Sequence, residues 1–158
     1  GMQSTGSRRI KRSIYLDSNS VKFLSSKEIE KYKKINLLKD YIEKVSSEIE
    51  KFNKVKNIDL APINGRQLTN IGMFRVYVEL YLKNNSNINK NLTLLVRQKE
   101  PTFQGIPLEI YCFAKTIVWQ EYEGIQSDLF EHLIPIIHEF DLLIFQNPTG
   151  NDFMGLKK

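Results

Sequence analysis

Apolar side chains recur along this chain with two periods. Residues 14–17 (IYLD) alternate, with Ile14 and Leu16 on one face, and 20–24 (SVKFL) add a short apolar exit, together reading as a strand. From Ser25 to Asn53 the period changes: Ile29, Tyr32, Ile35, Leu38, Ile42, Val45, Ile49 and Phe52 follow at three- and four-residue steps. This predicts an amphipathic helix of seven turns over 28–53, opened by Ser25 and Glu28 at capping-box spacing. Residues 54–66, with Pro62 and Asn64-Gly65, read as an irregular connection.

Residues 72–85 fit both periods. Phe74, Val76, Val78, Leu80 and Leu82 alternate as in a strand, whereas Phe74, Tyr77, Val78, Tyr81 and Leu82 form a helical stripe; interspersed polar residues and the Asn84-Asn85 stop favour helix, and β-branching favours strand. Extended segments 91–100 (NLTLLVRQKE) and 106–115 (IPLEIYCFAK) follow, joined by a loop with Pro101 and Gly105. A second helix over 118–140 carries Trp119, Tyr122, Ile125, Leu129, Leu133, Ile136 and Phe140, with Pro135 expected to kink or divide it. A short strand at 141–146 ends the pattern, and 147–158 read as frayed.

Leaving 72–84 aside, the order is β-α-β-β-α-β. Two helices on one face of an antiparallel sheet bury these stripes most economically, so the expected fold class is α+β, a ferredoxin-like two-layer sandwich with an inserted segment around 54–90. Ile35, Leu38, Ile42, Cys112, Trp119, Tyr122, Leu129 and Leu133 are the expected structural core.

Composition narrows the function more than it identifies it. The chain has 158 residues, 41% hydrophobic and 26% charged, an ordinary globular composition. No apolar run approaches the roughly 18 residues of a membrane span. No apolar signal-peptide core follows the basic N-terminus, and Gly1 before Met2 reads as a tag-cleavage scar on a cut fragment. One cysteine makes an intrachain disulfide impossible, and a reducing compartment is the simpler setting. The net charge of +5 is uneven: residues 1–56 hold 14 basic and 7 acidic groups. Four of the basic groups, Arg8, Arg9, Lys11 and Arg12, fall within five positions at the head of the first strand.

Catalytic patterns are weak. Cys112 sits between Tyr111 and Phe113 in a strand, where a small apolar filler is the ordinary role. His132 and His138 are six residues apart and do not share a helical face, so no metal site is expected. Glu121, Glu123, Asp128 and Glu131 read as a wet helix face, and both phosphate-cradling glycine motifs are absent. Lys27, Lys31, Lys34, Lys44 and Lys51 interleave with Glu28, Glu30, Glu43, Glu48 and Glu50 as a solvated face. Tyr111 and Phe113 have the spacing of a base-stacking platform on a strand, without the glycine and basic context such platforms carry. The residues alone thus leave an interaction or assembly module, a nucleic-acid-binding module and, less well supported, a small enzyme.

Longer stretches carry a resemblance. SRRIKRSIYLD (7–17), FLSSKEI (23–29), NGRQLTNIGMFRVYVELYL (64–82), TLLVRQ (93–98), GIPLEIYCF (105–113) and WQEYEGIQSDLFEHL (119–133) stand in order across residues 2–150. They resemble the cytoplasmic C-terminal region of the small-conductance mechanosensitive channel family, in its miniconductance, YbdG-like branch. The resemblance implies a vestibule domain on the cytoplasmic side of a bacterial inner membrane, below a pore that opens under tension in hypoosmotic stress. It implies partners in the upstream membrane and β-domains of the same chain and self-association, a heptamer in the intact channel. It implies no catalytic residues, no cofactor and no nucleic-acid partner. Residues 1–12 would be the junction left from the β-domain, 13–150 the α/β domain and 151–158 a flexible tail, with Arg8, Arg9, Lys11 and Arg12 as vestibule or junction charge.

Overall fold

The computed structural model describes residues 6–56 and 65–147. The expected tail at 151–158, the fraying from 148 onward and part of the connection, 57–64, lie outside the described residues.

Strand β1 (Arg8–Leu16) starts the fold; a 3-10 turn (Ser18–Ser20) leads to helices α1 (Ser26–Tyr32), α2 (Lys39–Val55) and α3 (Asn70–Lys83). Strands β2 (Leu95–Gln98) and β3 (Ile106–Ala114), helix α4 (Trp119–Ile136) and a 3-10 turn (Ile137–Phe140) complete it. The three strands form an antiparallel sheet in the order β1-β3-β2. Arg8 lies opposite Ala114 and Leu16 opposite Ile106, while Leu95 lies opposite Tyr111. A single antiparallel bridge, Leu16 to Ile144, sits on the outer side of β1, flanked by bonds from Asp17 N to the Leu143 carbonyl (2.7 Å) and from Phe145 N to the Tyr15 carbonyl (2.9 Å). With that bridge as the fourth position, the order is that of a ferredoxin-like sheet whose last strand has shrunk to one rung. The α+β class expected from the sequence is the observed one.

Alternation explains the layers. Ile10, Ile14 and Leu16 from β1 and Leu108, Ile110, Cys112 and Ala114 from β3 point to one face and are buried there. Met73, Phe74, Val78 and Leu82 of α3 and Leu129 and Leu133 of α4 join them in one core. The ambiguous segment is therefore a helix, capped where the Thr69 hydroxyl accepts a bond from the Gly72 amide (3.1 Å). Eight of its fourteen residues are buried, so α3 covers the sheet in the role expected for the 28–53 helix.

That earlier helix is divided. Residues 33–38 form tight turns, with bonds from Ile35 N to the Tyr32 carbonyl and from Leu38 N to the Ile35 carbonyl, three residues back rather than four. The break lets Tyr32 stack on Phe140 (5.0 Å between centroids) while Leu38 and Ile42 also reach the core. Beyond Ile42 the α2 stripe departs from it: Phe52 and Val55 are exposed, and Phe52 has the Arg66 guanidinium over its ring.

The 118–140 helix holds as α4, and after Pro135 it tightens into the 3-10 turn. Asp141 then takes a left-handed conformation (φ 55°) that turns the chain back toward β1. The strand expected at 141–146 is the one-rung bridge.

Candidate functional site: a basic strand on an aromatic bed

Because strand side chains alternate, the four cations of RRIKR divide into two pairs. Arg8 and Arg12 share the helix side with Ile10. The Arg8 guanidinium lies 4.6 Å from the Tyr122 ring centroid and 5.2 Å from that of Trp119; Arg12 lies 3.8 Å from the Phe130 centroid. Each such contact at a wet site is worth roughly 0.5–1 kcal/mol, so α4 holds the strand by its charges as well as its apolar residues. The Tyr122 hydroxyl donates to the Arg9 carbonyl, fixing helix to strand edge. Burial raises the Tyr122 pKa, with the Arg8 charge opposing.

Arg9 and Lys11 project from the other face, which no helix among the described residues covers. Register places Arg9 opposite Phe113 and Lys11 opposite Tyr111, with Arg9 5.9 Å from the Tyr111 centroid. Tyr111 and Phe113 meet edge to face at 5.8 Å and are half-buried. Each ring packs on the other, which accounts for them without a stacked ligand.

Glu109 stands beside them and was not singled out from the sequence. It is 3% exposed and receives the Arg97 Nε at 3.0 Å and the Lys99 Nζ at 3.5 Å. Burial would raise its pKa, but the Arg97 hydrogen bond and the charges of Arg97, Lys99 and Lys11 outweigh burial and bring it below the ordinary carboxylate value. The signal was present: one glutamate inside the apolar run IPLEIYCF, opposite a neighbouring strand that reads RQK.

The structure places the expected core residues at different depths. Leu38, Ile42, Cys112, Leu129 and Leu133 are buried, and Ile35 and Tyr122 are half-buried. Trp119 is the exception, at 59% exposed. It is the first residue of α4, beside Arg8 at the start of β1, and its ring beds that guanidinium instead of filling the interior. Burial pushes the Cys112 thiol up to about 12, far from a thiolate at neutral pH.

His132 packs between helices: its Nε2 lies 2.7 Å from the Tyr77 hydroxyl and its ring stacks on Tyr81 at 4.3 Å, joining α4 to α3. Glu121 accepts a bond from the Thr116 hydroxyl (2.6 Å); Glu123 is half-buried, and Asp128 and Glu131 are exposed. Among the described residues no three His, Cys, Asp or Glu side chains converge as a metal site would require, and no helix is long and apolar enough to cross a membrane.

Comparison with known proteins gives the direction. Residues 78–144 match the family model described as mechanosensitive ion channel MscS, C-terminal. The matched span starts inside α3, takes in β2, β3 and α4, and ends at Ile144 on the last rung of the sheet. The low conductance mechanosensitive channel YnaI of Escherichia coli (strain K12) is 33% identical over 67 residues, 42% of this chain and 20% of that protein. The aligned stretch thus spans about a fifth of the relative's length. Both likenesses are to channel proteins of the MscS family.

Proposed function

We propose that this chain is the cytoplasmic vestibule domain of a mechanosensitive channel of the MscS family, in its miniconductance branch. The observation that carries the reading is the family match over residues 78–144, which runs from the middle of α3 through β2, β3 and α4. In this reading residues 1–12 join an upstream β-domain to the α/β domain of 13–150, and membrane helices of the same parent chain form the pore. Subunits associate, as a heptamer in the intact channel, so that these domains enclose a space below the pore on the cytoplasmic side. The domain serves assembly and the ionic surroundings of the permeation path; it neither conducts alone nor catalyses.

Repeating a basic strand around a ring of subunits would raise the local anion concentration and disfavour cations. Two measurements on the parent protein test this. Excised patches from cells lacking other mechanosensitive channels should show a tension-activated current when it is expressed, and its absence refutes the channel reading. Reversing charge at Arg9 and Lys11 should move the reversal potential toward cation preference; an unchanged potential removes these residues from the permeation path.

A further inference from the structure

The outer edge of β1 is only partly used. In an antiparallel ladder the backbone groups of alternate residues point to the same side. The Tyr15 carbonyl accepts from Phe145 N, Asp17 N donates to Leu143, and the Arg9 carbonyl accepts from Tyr122, so the odd-numbered residues of β1 present their N–H and C=O outward. Lys11 and Ser13 lie between these points. Among the described residues their outward groups have no hydrogen-bond partner, and both residues reach solvent. Beside this edge runs a groove of about 450 Å³ lined by Arg12, Ser127, Phe130, Glu131, Ile134 and Pro135, with Ile134 exposed.

We propose that the edge of β1 at Lys11–Ser13 is a docking site for an extended segment of another polypeptide, one that alternates apolar and acidic side chains. This goes beyond the channel reading and does not depend on it. A strand added here would take its backbone bonds from Lys11 and Ser13. Alternate side chains would face α4 and rest on Phe130 and Ile134, which calls for apolar residues. The intervening ones would emerge beside Arg9 and Lys11 on the uncovered sheet face, which calls for carboxylates.

Charge and sequence exclude the nearer occupants. Pairing with β1 of a second copy would set Arg-Arg-Ile-Lys-Arg against itself, and like charges across a ladder are destabilising. Extending the Leu16–Ile144 register down this chain would bring Pro148 opposite Arg12 and Gly150 opposite Ile10. Neither supplies a large apolar side chain for the groove, and Asn147-Pro-Thr-Gly-Asn-Asp152 is rich in residues that strands avoid. The basic edge deters self-pairing and selects an acidic partner by the same charges.

The test titrates the chain with a capped heptapeptide, Glu-Val-Glu-Val-Glu-Val-Glu, followed by amide chemical shifts and by the fluorescence of Trp119, the single tryptophan, beside Arg8. Saturable shifts centred on Lys11 and Ser13 are expected. Ser13→Pro removes an outward N–H that β3 does not use and should weaken binding about tenfold or more. An N-methylated peptide should do the same without altering the protein, and the lysine-for-glutamate peptide should not bind. Absence of saturable binding, or binding indifferent to both Ser13→Pro and N-methylation, overturns the proposal. So does a concentration-dependent dimer abolished by Ser13→Pro, which assigns the edge to a second copy. A marked gain in affinity when the chain is ended after Asn147 overturns it too, because the edge then belongs to the tail.

Discussion

Asn70→Ala is expected to be among the most damaging single substitutions in this domain, although it removes no apolar surface. Asn70 is fully buried at the start of α3. Its Oδ1 accepts from Lys22 N and Ile71 N, both at 2.9 Å, and its Nδ2 donates to the carbonyls of Ser20 (2.9 Å) and Phe140 (3.0 Å). All four bonds an amide side chain can make are therefore made. They fasten together three segments distant in sequence: the exit from β1, the first turn of α3 and the turn after α4. Alanine leaves these groups without partners, and stranding a buried polar group costs about 1–3 kcal/mol. Local relaxation and water entry recover part, because such costs do not add; about 3–5 kcal/mol is expected for the whole change. For a domain of ordinary stability, 5–15 kcal/mol, that is a large share. Asn70→Asp should also be severe near neutral pH, since a carboxylate oxygen would face the two carbonyls that Nδ2 now serves. Urea unfolding followed by far-UV dichroism measures both. A loss below about 1 kcal/mol for alanine would refute the assignment of Asn70 as the knot of these segments.

Two further predictions follow from the sheet and the first turn of α4. Glu109 has a folded-state pKa below its ordinary value of 4.5, so its stabilisation is complete above that pH and lost as pH falls through the lower, folded value. Glu28, held down to about 2 by Lys22 and the Ser25 amide, adds a loss of the same sign from 4.5 toward 2. Glu109→Gln should cost about 1–3 kcal/mol at neutral pH and flatten the acid limb of the stability profile; an unchanged acid limb would refute the role of Glu109. Trp119→Ala should cost no more than about 1 kcal/mol, the worth of its contact with Arg8, whereas Leu133→Ala, fully buried, should cost about 2–5 kcal/mol. Paired unfolding curves decide it, and equal losses would place Trp119 in the core after all.

Periodicity revealed the fold wherever burial was one-sided. The stripe of α4, the alternation of Ile14 and Leu16 in β1 and the Ser25–Glu28 capping box all appear in the structure, the last with both reciprocal bonds formed. Periodicity failed where it carried no information on partners. Nothing in the stripe from Ile29 to Phe52 says that its middle must break for Tyr32 to meet Phe140, because Phe140 lies 108 residues away from it. The same pattern overrated Trp119: a stripe gives the phase of a helix, not how deeply each position on it is buried. Asn70 and Glu109 escaped for a third reason. A buried polar residue is explained by its partners, and those of Asn70 lie as far off as Phe140.

The basic run shows what such partners do to a charge count. Formally RRIKR places four positive charges on one strand, and the sequence invites their treatment as one patch. Arg8 and Arg12 lie on rings of α4, so their reversal would put a carboxylate against an aromatic face and act on stability as much as on field. Lys11 faces the side where Glu109 lies and helps to hold that carboxylate ionised. Its charge is thus partly compensated within the sheet. A cation–π contact leaves the guanidinium charge in place, so all four cations contribute to the field beyond the surface, which Glu109 offsets in part and which is screened within a Debye length, about 8 Å at physiological salt. Any influence on ions then depends on repetition around an assembly. A lone domain should bind small anions no better than an ordinary surface, and a selective effect should emerge only in the assembled parent.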